Sequence, residues 1–490
     1  MSIVLRMWRK PPPSFIIEDM DAGLPQASIV LEFDRGTLLL SSVGDKTAID
    51  ATRGDWTWDE RVSAWRCDAI NYTQVRQYLA ELFGPGFRDD VPKPVRVSWP
   101  KVSLPELRPE QLEALSAWMK AGYRGQVIMP TGTGKTEVAL AAMVQTGTAT
   151  LVVAPIRDLM YQWHRRILKG LGYDAGIVGD NTFNLRPVTV TTYDSACIHM
   201  AQIGAIFGLL IFDEEHHLPG PTYREAAILS TAGMRLGLTA TPERYDGRQV
   251  DLDWLIGPVA YNMPFQEARG ITLADFSVVR IPVHLSQDEQ AGYDQYSRQV
   301  RQFIAERRKE QPGYSWQDLC ADSGKDPAAR LALKAYYLKQ AIEDRAQEKL
   351  RILEDVFRLH AGQKTIIFAG SNAMAMEVSR RFLLPTILSH TRKKERLAVL
   401  DGFAQGEFPV IVANRVLDEG VDVPEAKVAV VIGGQASTRQ AKQRLGRILR
   451  KTGNAPATLY EVVCETAGEI ERSRQRRRSD AYERTRHRRI

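Results

Sequence analysis

Met129-Pro130-Thr131-Gly132-Thr133-Gly134-Lys135-Thr136 is the stretch on which the reading of this chain turns. The apolar run Gln126–Met129 before it predicts a short buried strand, and Glu137–Met143 after it predicts an amphipathic helix. A strand, a glycine-rich loop ending in Gly-Lys-Thr and a helix together cradle phosphate. Gly132 and Gly134 let backbone N–H groups approach an anion, and the helix N-terminus adds positive dipole. Lys135 then reaches the β- and γ-phosphates, and Thr136 offers a hydroxyl to Mg²⁺. Met129 stands where the general motif has its first glycine, so this stretch alone leaves a plain strand–turn–helix open.

The chain around it alternates strands and helices from about residue 104, the signature of a parallel α/β sheet. Leu107-Arg108-Pro109-Glu110-Gln111 opens a helix; Ala149–Ala154, Pro187–Thr191, Gly208–Phe212 and Arg235–Leu238 read as strands, and Ile156–Lys169 as a helix. Asp213-Glu214-Glu215-His216 follows the apolar Leu209-Leu210-Ile211-Phe212 directly. In doubly wound sheets, ligands bind where strands end. An Asp there can hold Mg²⁺, and the adjacent Glu can polarise an attacking water. Four consecutive ionisable groups after such a strand need a ligand or solvent.

A second alternating region begins near Lys364, with strands at Thr365–Phe368, Phe408–Ala413 and Val428–Ile432 and a helix at Asn372–Phe382. Arg439–Arg450 reads as a helix that places Gln443, Arg447 and Arg450 on one face. That face is either solvated or reaches a γ-phosphate across a cleft, where guanidinium geometry suits phosphate. No second Gly-Lys-Thr loop exists, so the second sheet would complete the first sheet's site around one ATP. Residues 285–350 form a polar helical segment, read as an inserted hairpin. Its basic residues include Arg298, Arg301, Lys334, Lys339 and Lys349, which either grip nucleic acid or face water.

Residues 1–100 read as a small separate domain. Ala27–Phe33 and Thr37–Leu40 are strand-like around the turn Asp34-Arg35-Gly36, and a second strand pair flanks Asp59-Glu60-Arg61. Asn71–Phe83 has helical spacing of Val75, Leu79 and Leu82. Trp8, Trp56, Trp58, Trp65 and Trp99 are five of the nine tryptophans. They are read as an aromatic core, with base stacking as the sharper alternative. Pro92, Pro94, Pro100 and Pro105 mark a linker.

A length of 490 residues implies about two to four domains. With 44% hydrophobic and 25% charged residues the composition is that of a soluble globular protein. No apolar run reaches membrane-spanning length, and Met1–Phe15 lacks a signal-peptide core, so a cytoplasmic location is expected. Four scattered cysteines without a C-x-x-C pair argue against a zinc site, an iron–sulfur cluster or a disulfide framework. The net charge of +6 is modest, but residues 471–490 hold nine Arg against three acids. Such a tail is solvated, contacts a phosphate backbone, or both.

As a set, these stretches resemble a superfamily 2 helicase, and within it the XPB family of DNA helicases and translocases, chiefly its archaeal and bacterial members. The resemblance covers nearly the whole chain. Leu107–Gln111 matches the glutamine motif, which implies that Gln111 reads adenine with Arg108 in the nucleotide site. Pro130-Thr131-Gly132-Thr133-Gly134-Lys135-Thr136 matches motif I as this superfamily writes it, Met129 included. Ala154–Leu159 looks like motif Ia and Thr191-Thr192-Tyr193 like motif Ib, which implies nucleic-acid contacts at Pro155, Arg157 and Thr192. Asp213–His216 is similar to a DExH motif II, and Leu238-Thr239-Ala240-Thr241-Pro242 to motif III, which couples hydrolysis to domain movement.

Val416–Pro424 resembles motif V, implying Gly420 and Asp422 at the nucleotide and ribose. Gln443–Arg450 is similar to motif VI, implying that Gln443 orients water and that Arg447 and Arg450 are arginine fingers. Thr239–Arg248 looks like the site of the family's Arg-Glu-Asp element, which helps to open or grip DNA and implies roles for Arg244 and Asp246. Tyr245 stands in place of its acid, so the full element is absent. The basic insert resembles the family's thumb, and Leu31–Leu39 its damage-recognition-like domain.

The resemblance therefore implies an α/β protein with two tandem RecA-like parallel-sheet domains at 104–258 and 259–467. A small α+β N-terminal domain at 1–100, a helical thumb insertion at about 285–350 and a basic tail at 468–490 complete it. ATP and Mg²⁺ would be bound, with Thr136, Asp213 and Glu214 at the metal. The implied activity is 3′→5′ movement on single-stranded, forked or duplex DNA, in nucleotide excision repair or DNA opening. A partner nuclease or repair factor is implied, and a nucleoid-associated monomer is expected. Two alternatives stay open: a duplex or branched-DNA translocase that unwinds little, and a nucleotide-gated DNA-binding module that recruits a nuclease.

Overall fold

The computed structural model describes residues 29–44, 46, 49–52, 54–242, 244, 246–268, 276–388, 390–414, 426–433, 457–477 and 488–489. Gly420 and Asp422 of the expected motif V, Gln443, Arg447 and Arg450 of motif VI, Tyr245 and Trp8 lie outside the described residues.

Among the described residues, eight strands form the central sheet in the order Val259–Asn262, Arg124–Ile128, Met234–Thr239, Leu209–Asp213, Thr150–Ala154, Val188–Thr192, Gly176–Gly179, Thr182–Asn184. All neighbours run parallel except the terminal hairpin Gly176–Gly179/Thr182–Asn184. Thr150–Ala154 and Val188–Thr192 are buried at every position, as expected of parallel strands covered on both faces. Alternation along the strand assigns the faces. Val152 and Ala154 pack with Trp118, Leu140, Trp163 and Ile167 of one helical layer; Leu151 and Val153 pack with Tyr193, Met200 and Phe207 on the other. Val259–Asn262 pairs with Arg124–Ile128, so the boundary expected at 258/259 falls after Asn262. The terminal hairpin escaped sequence reading because its strands are short; its tip places Asp180 and Asn181 at positive φ (51° and 57°).

One buried cation braces this domain. Arg235 on the strand Met234–Thr239 is fully enclosed, and its guanidinium donates to the carbonyls of Ala232, Leu255, Ala227 and Ser230 at 2.6–3.1 Å. Backbone dipoles take the place of a counter-ion, tying the strand to Glu225–Ile228 and Leu252–Leu255. Truncating the side chain strands these carbonyls, at about 1–3 kcal/mol each.

The second sheet runs Thr386–Ile387, Val410–Ala413, Thr365–Ala369, Val428–Ile432, Ala457–Cys464, Phe276–Val283 and Arg488–Arg489, with every pair parallel. The helices Gln287–Glu310, Trp316–Asp322 and Pro327–Asp344 lie in the chain between strands Phe276–Val283 and Thr365–Ala369, so the thumb is an insertion within this sheet. The next helix, Gln347–Leu359, turns Leu350, Leu353 and Val356 into the sheet core. The last inserted helix thus ends at Asp344, close to the expected bound of about 350.

Lys349, counted above on the basic face, is fully buried; its Nζ donates to Glu469 at 2.8 and 3.0 Å. Nearby, buried Glu343 accepts from Thr466 Oγ1 at 2.6 Å and from Arg472. The helix Ala467–Arg477, the start of the expected basic tail, is therefore anchored by a buried ionic network at the base of the thumb. Removing one member of such a buried pair costs about 3–5 kcal/mol.

The N-terminal sheet runs Thr57–Asp59, Ala64–Asp68, Thr37–Ser41, Ile29–Asp34, Phe87–Asp89. Its hairpin turns at Arg35 and Gly36, both at positive φ, with Gly36 pressed so close to Leu229 that a Cβ would lie 2.7 Å from it. The helix Tyr72–Phe83 buries Val75 and Leu79, but Leu82 is exposed because most of the last turn runs into solvent. Trp56 is buried, its indole N–H on Thr52 Oγ1 at 2.6 Å, and Trp65 donates to the Val43 carbonyl at 3.1 Å. The aromatic-core reading holds for these two, while Trp58 is 43% exposed. Among the described residues no helix is long and apolar enough to cross a membrane.

Candidate active site

The loop Pro130–Gly134 leaves the sheet between two neighbours: the Met129 N–H still bonds the Thr239 carbonyl at 2.9 Å. Gly132 and Gly134 sit at φ 88° and 85°, which only glycine adopts without strain, and Gly134 opens the helix Lys135–Thr146. A Cβ at Gly134 would lie 2.1 Å from Gln111 Nε2. Thr133 is buried and its hydroxyl donates to the Pro130 carbonyl at 2.7 Å. Lys135 Nζ donates to the Met129 carbonyl at 3.0 Å, folding the ammonium back over the loop.

Gln111, expected to read adenine, is buried against this loop. Its Oε1 accepts from the Arg108 N–H at 2.9 Å and its Nε2 donates to the Thr133 carbonyl at 2.9 Å. The Arg108 guanidinium also donates to that carbonyl and binds Glu110 at 2.7 Å. The glutamine motif thus clamps the phosphate loop from outside.

Asp213 ends its strand two positions across the sheet from the loop's strand, with Met234–Thr239 between them. The Trp163 indole N–H donates to Asp213 Oδ2 at 2.8 Å, and the Tyr193 hydroxyl donates to its carbonyl at 3.0 Å. Enclosure and then the Glu214 carboxylate push Asp213 from 3.8 up to about 6, against the pull of Trp163 and Lys135. Glu214 sits in the left-handed region (φ 51°, ψ 55°), a strained conformation of the kind that collects at functional sites. Its Oε2 is buried without a hydrogen bond among the described residues, 3.5 Å from His216 Nδ1. His216 Nδ1 lies 3.0 Å from Thr239 Oγ1, which accepts the Thr241 N–H at 3.1 Å. Motif II is thereby wired to motif III.

Glu215 differs from the expectation that all four groups meet ligand or solvent. It is fully buried, both carboxyl oxygens lack hydrogen bonds among the described residues, and its Oε2 occupies the space of a side chain at Gly237. Burial first, then Glu214, pushes its pKa well up. Glu215 is core.

The raised Asp213 pKa has a consequence for stability. Between about pH 4 and 6 the folded state holds a proton that the unfolded chain releases, so the ionised carboxylate costs stability above pH 6, and that cost lifts as pH falls through 6. Asp213→Asn is expected to raise Tm of the ligand-free protein at about pH 7.5, with the gain shrinking by about pH 5. Thermal melts at both pH values check this; an equal gain at both would contradict it.

The expected nucleic-acid residues are placed differently from one another. Pro155 is half-buried at the end of its strand, and Arg157 is 68% exposed with its guanidinium on Asp180 at 2.7 Å. Thr192 is buried, its hydroxyl capping the helix Tyr193–Ile203 through the Ser195 N–H, so its side chain is already spent. Arg244 and Asp246 pair bidentately at 2.6 and 2.8 Å, and Arg244 also donates to the His216 carbonyl. Sequence reasoning missed Asp180 and Trp163. The helical spacing of Leu159, Trp163 and Ile167 marks the buried face, but nothing local points the indole at Asp213.

A glycine cradle at a helix N-terminus, an ammonium over it, and buried oxygens at Thr131 and Glu214 that lack hydrogen bonds among the described residues fit a nucleoside triphosphate with a divalent cation. Comparison with known proteins gives three family matches: "Type III restriction enzyme, res subunit" over residues 104–244, "Helicase conserved C-terminal domain" over 348–452, and "Xeroderma pigmentosum group B helicase damage recognition domain" over 31–91. The chain is 39% identical over 432 residues to the DNA 3′-5′ translocase XPB2 of Sulfurisphaera tokodaii, covering 87% of this chain and 97% of that one. It is 30% identical to the DNA 3′-5′ helicase XPB of Mycobacterium tuberculosis, covering 75% of this chain and 62% of that protein. In fold it is similar to the Hef helicase domain of Pyrococcus furiosus (TM-score 0.50, 15% identity, 74% of this chain and 97% of that one). It is also similar to Dbp5 of S. cerevisiae bound to RNA and ADP BeF3 (TM-score 0.54, 14% identity, 78% and 89%).

Proposed function

The chain belongs to the XPB family of superfamily 2 DNA helicases and translocases, and from that premise we propose that it is an ATP-driven motor moving 3′→5′ on DNA, with its catalytic site at Lys135, Thr136, Asp213 and Glu214. The observation that carries the reading is the convergence of the Pro130–Thr136 loop and Asp213-Glu214 at the C-terminal ends of two strands with one other between them in the sheet, with Lys135 near enough to act on Asp213 electrostatically. Mg²⁺ would be held by the Thr136 hydroxyl and the Asp213 carboxylate beside Glu214, and would neutralise phosphate oxygens. Lys135 binds the β- and γ-phosphates, and Glu214 takes the proton of the attacking water. Arg447 and Arg450 complete the site from the second domain, Gln443 orients the water, and Gly420 and Asp422 hold the nucleotide. The contact between His216 and Thr239 carries the state of motif II into motif III.

The DNA runs across both sheet domains, past Pro155 and Arg157, in a repair or DNA-opening role with a nuclease or repair factor as partner. Arg244 and Asp246 neutralise each other, which favours translocation on duplex with little unwinding over active melting by that element. Steady-state ATPase with no nucleic acid, single-stranded DNA, blunt duplex, fork and RNA, beside a strand-separation assay, tests both points. Strong stimulation by DNA is expected, with blunt duplex as effective as fork and little strand separation. A flat response would remove the motor and leave a nucleotide-gated binding module.

A further inference from the structure

The helix Arg157–Leu171 touches every moving part of the proposed machine. At its start, Arg157, the exposed residue proposed to meet DNA, pairs with Asp180 at 2.7 Å. One residue later, Asp158 pairs at 2.9 Å with Arg396 of the helix Lys393–Gln405 in the second sheet domain. Further along, Arg166 pairs with Glu137 in the helix that Lys135 opens. In its middle, Trp163 is 2% exposed and donates its indole N–H to Asp213 Oδ2 at 2.8 Å.

An indole is an unusual partner for a carboxylate that must serve a cation. Lys or Arg there would neutralise the charge and compete with the metal; a neutral N–H fixes one oxygen and leaves the charge intact. Partners of this kind orient ligating carboxylates, and their loss typically costs about 10–100-fold in metal affinity or activity. Trp163 is part of the close-packed core beneath the sheet, so a shift of the helix carries the N–H along.

We propose that Trp163 is a positioning residue that transmits the placement of the helix Arg157–Leu171, set by DNA at Arg157 and by the second domain at Asp158, to the Asp213 carboxylate. The proposal rests on the reading of Asp213 as a metal-holding residue of the nucleotide site. DNA binding and domain closure then act on one rigid helix, and the hydrogen bond converts its position into affinity for the Mg²⁺-bound nucleotide.

The test is equilibrium binding of a fluorescent ADP analogue to the full chain, without DNA, in EDTA and across a Mg²⁺ series, with Tm of the ligand-free protein and DNA-stimulated ATPase alongside. Trp163→Phe keeps an aromatic ring and removes the N–H. It is expected to bind nucleotide in EDTA as the wild type does, to lose about 10–100-fold of the gain from Mg²⁺, and to lose DNA stimulation in greater proportion than basal turnover. Should the smaller ring unfold the domain, 3-benzothienylalanine at position 163, with sulfur in place of the N–H, preserves the shape and is expected to show the same loss. A wild-type Mg²⁺ gain in whichever of the two folds would overturn the proposal, as would a loss that is equal in EDTA. A wild type whose ATPase ignores all nucleic acids would sink the motor reading while leaving the Mg²⁺ comparison decisive for Trp163.

Discussion

Glu214→Gln is expected to bind ATP like the wild type and to hydrolyse it about 10²–10⁴-fold more slowly, with and without DNA. The substitution keeps the side chain's shape but removes its charge and basicity, so lost turnover with ATP binding retained isolates the proton-accepting role. The geometry supports that role. Glu214 is held at φ 51°, buried, with Oε2 accepting no hydrogen bond among the described residues. A carboxylate whose lone pairs are already satisfied makes a poor base; this one keeps its capacity for an incoming water. His216 at 3.5 Å ties it to Thr239 and Thr241, so the same variant should also blunt the step that hydrolysis triggers in motif III. Phosphate release measured beside nucleotide affinity checks this. Turnover within about tenfold of wild type would assign the base elsewhere, since general bases contribute more than that.

Arg447→Ala is expected to have the larger effect, about 10³–10⁵-fold in turnover, with ATP still bound. Arg447 lies outside the described residues; its spacing and side-chain chemistry carry the expectation. Read as a helix, the sequence would put Gln443, Arg447 and Arg450 on one face, and the second α/β region has no Gly-Lys-Thr sequence of its own. A guanidinium offered across a cleft meets charge that develops only in the transition state, so its loss spares ground-state binding. Arg447→Lys is not expected to restore the rate, because a point charge lacks the planar fork. Nucleotide affinity falling in parallel with turnover would show that the residue binds ATP and does not act as a finger.

Much of this was legible without coordinates. The phosphate loop is local: glycines at positive φ, a lysine at a helix start, an apolar strand before it. Asp213 and Glu214 were legible because acids directly after a fully apolar strand have few structural uses. The strand–helix alternation was legible because parallel strands buried on both faces must be largely apolar, as Leu151–Ala154 and Ile366–Ala369 are. The short hairpin with Asp180 at its tip was not, because three- and four-residue strands leave little period to read.

Sequence by itself thus determined the chemistry offered and the order of the elements that offer it, since both are written in neighbouring residues. Only the tertiary structure decided which groups are spent. Glu215 and Glu214 are adjacent, yet one is enclosed in the core and the other faces the site, because burial depends on what closes over a residue from elsewhere. Lys349 looks like part of a basic face until Glu469, 120 residues on, is folded against it. Trp163 reads as a core tryptophan until Asp213, 50 residues away, arrives at its N–H. Asp158 meets Arg396 across 238 residues. Such pairings join segments brought together only by tertiary packing, and no local pattern encodes them.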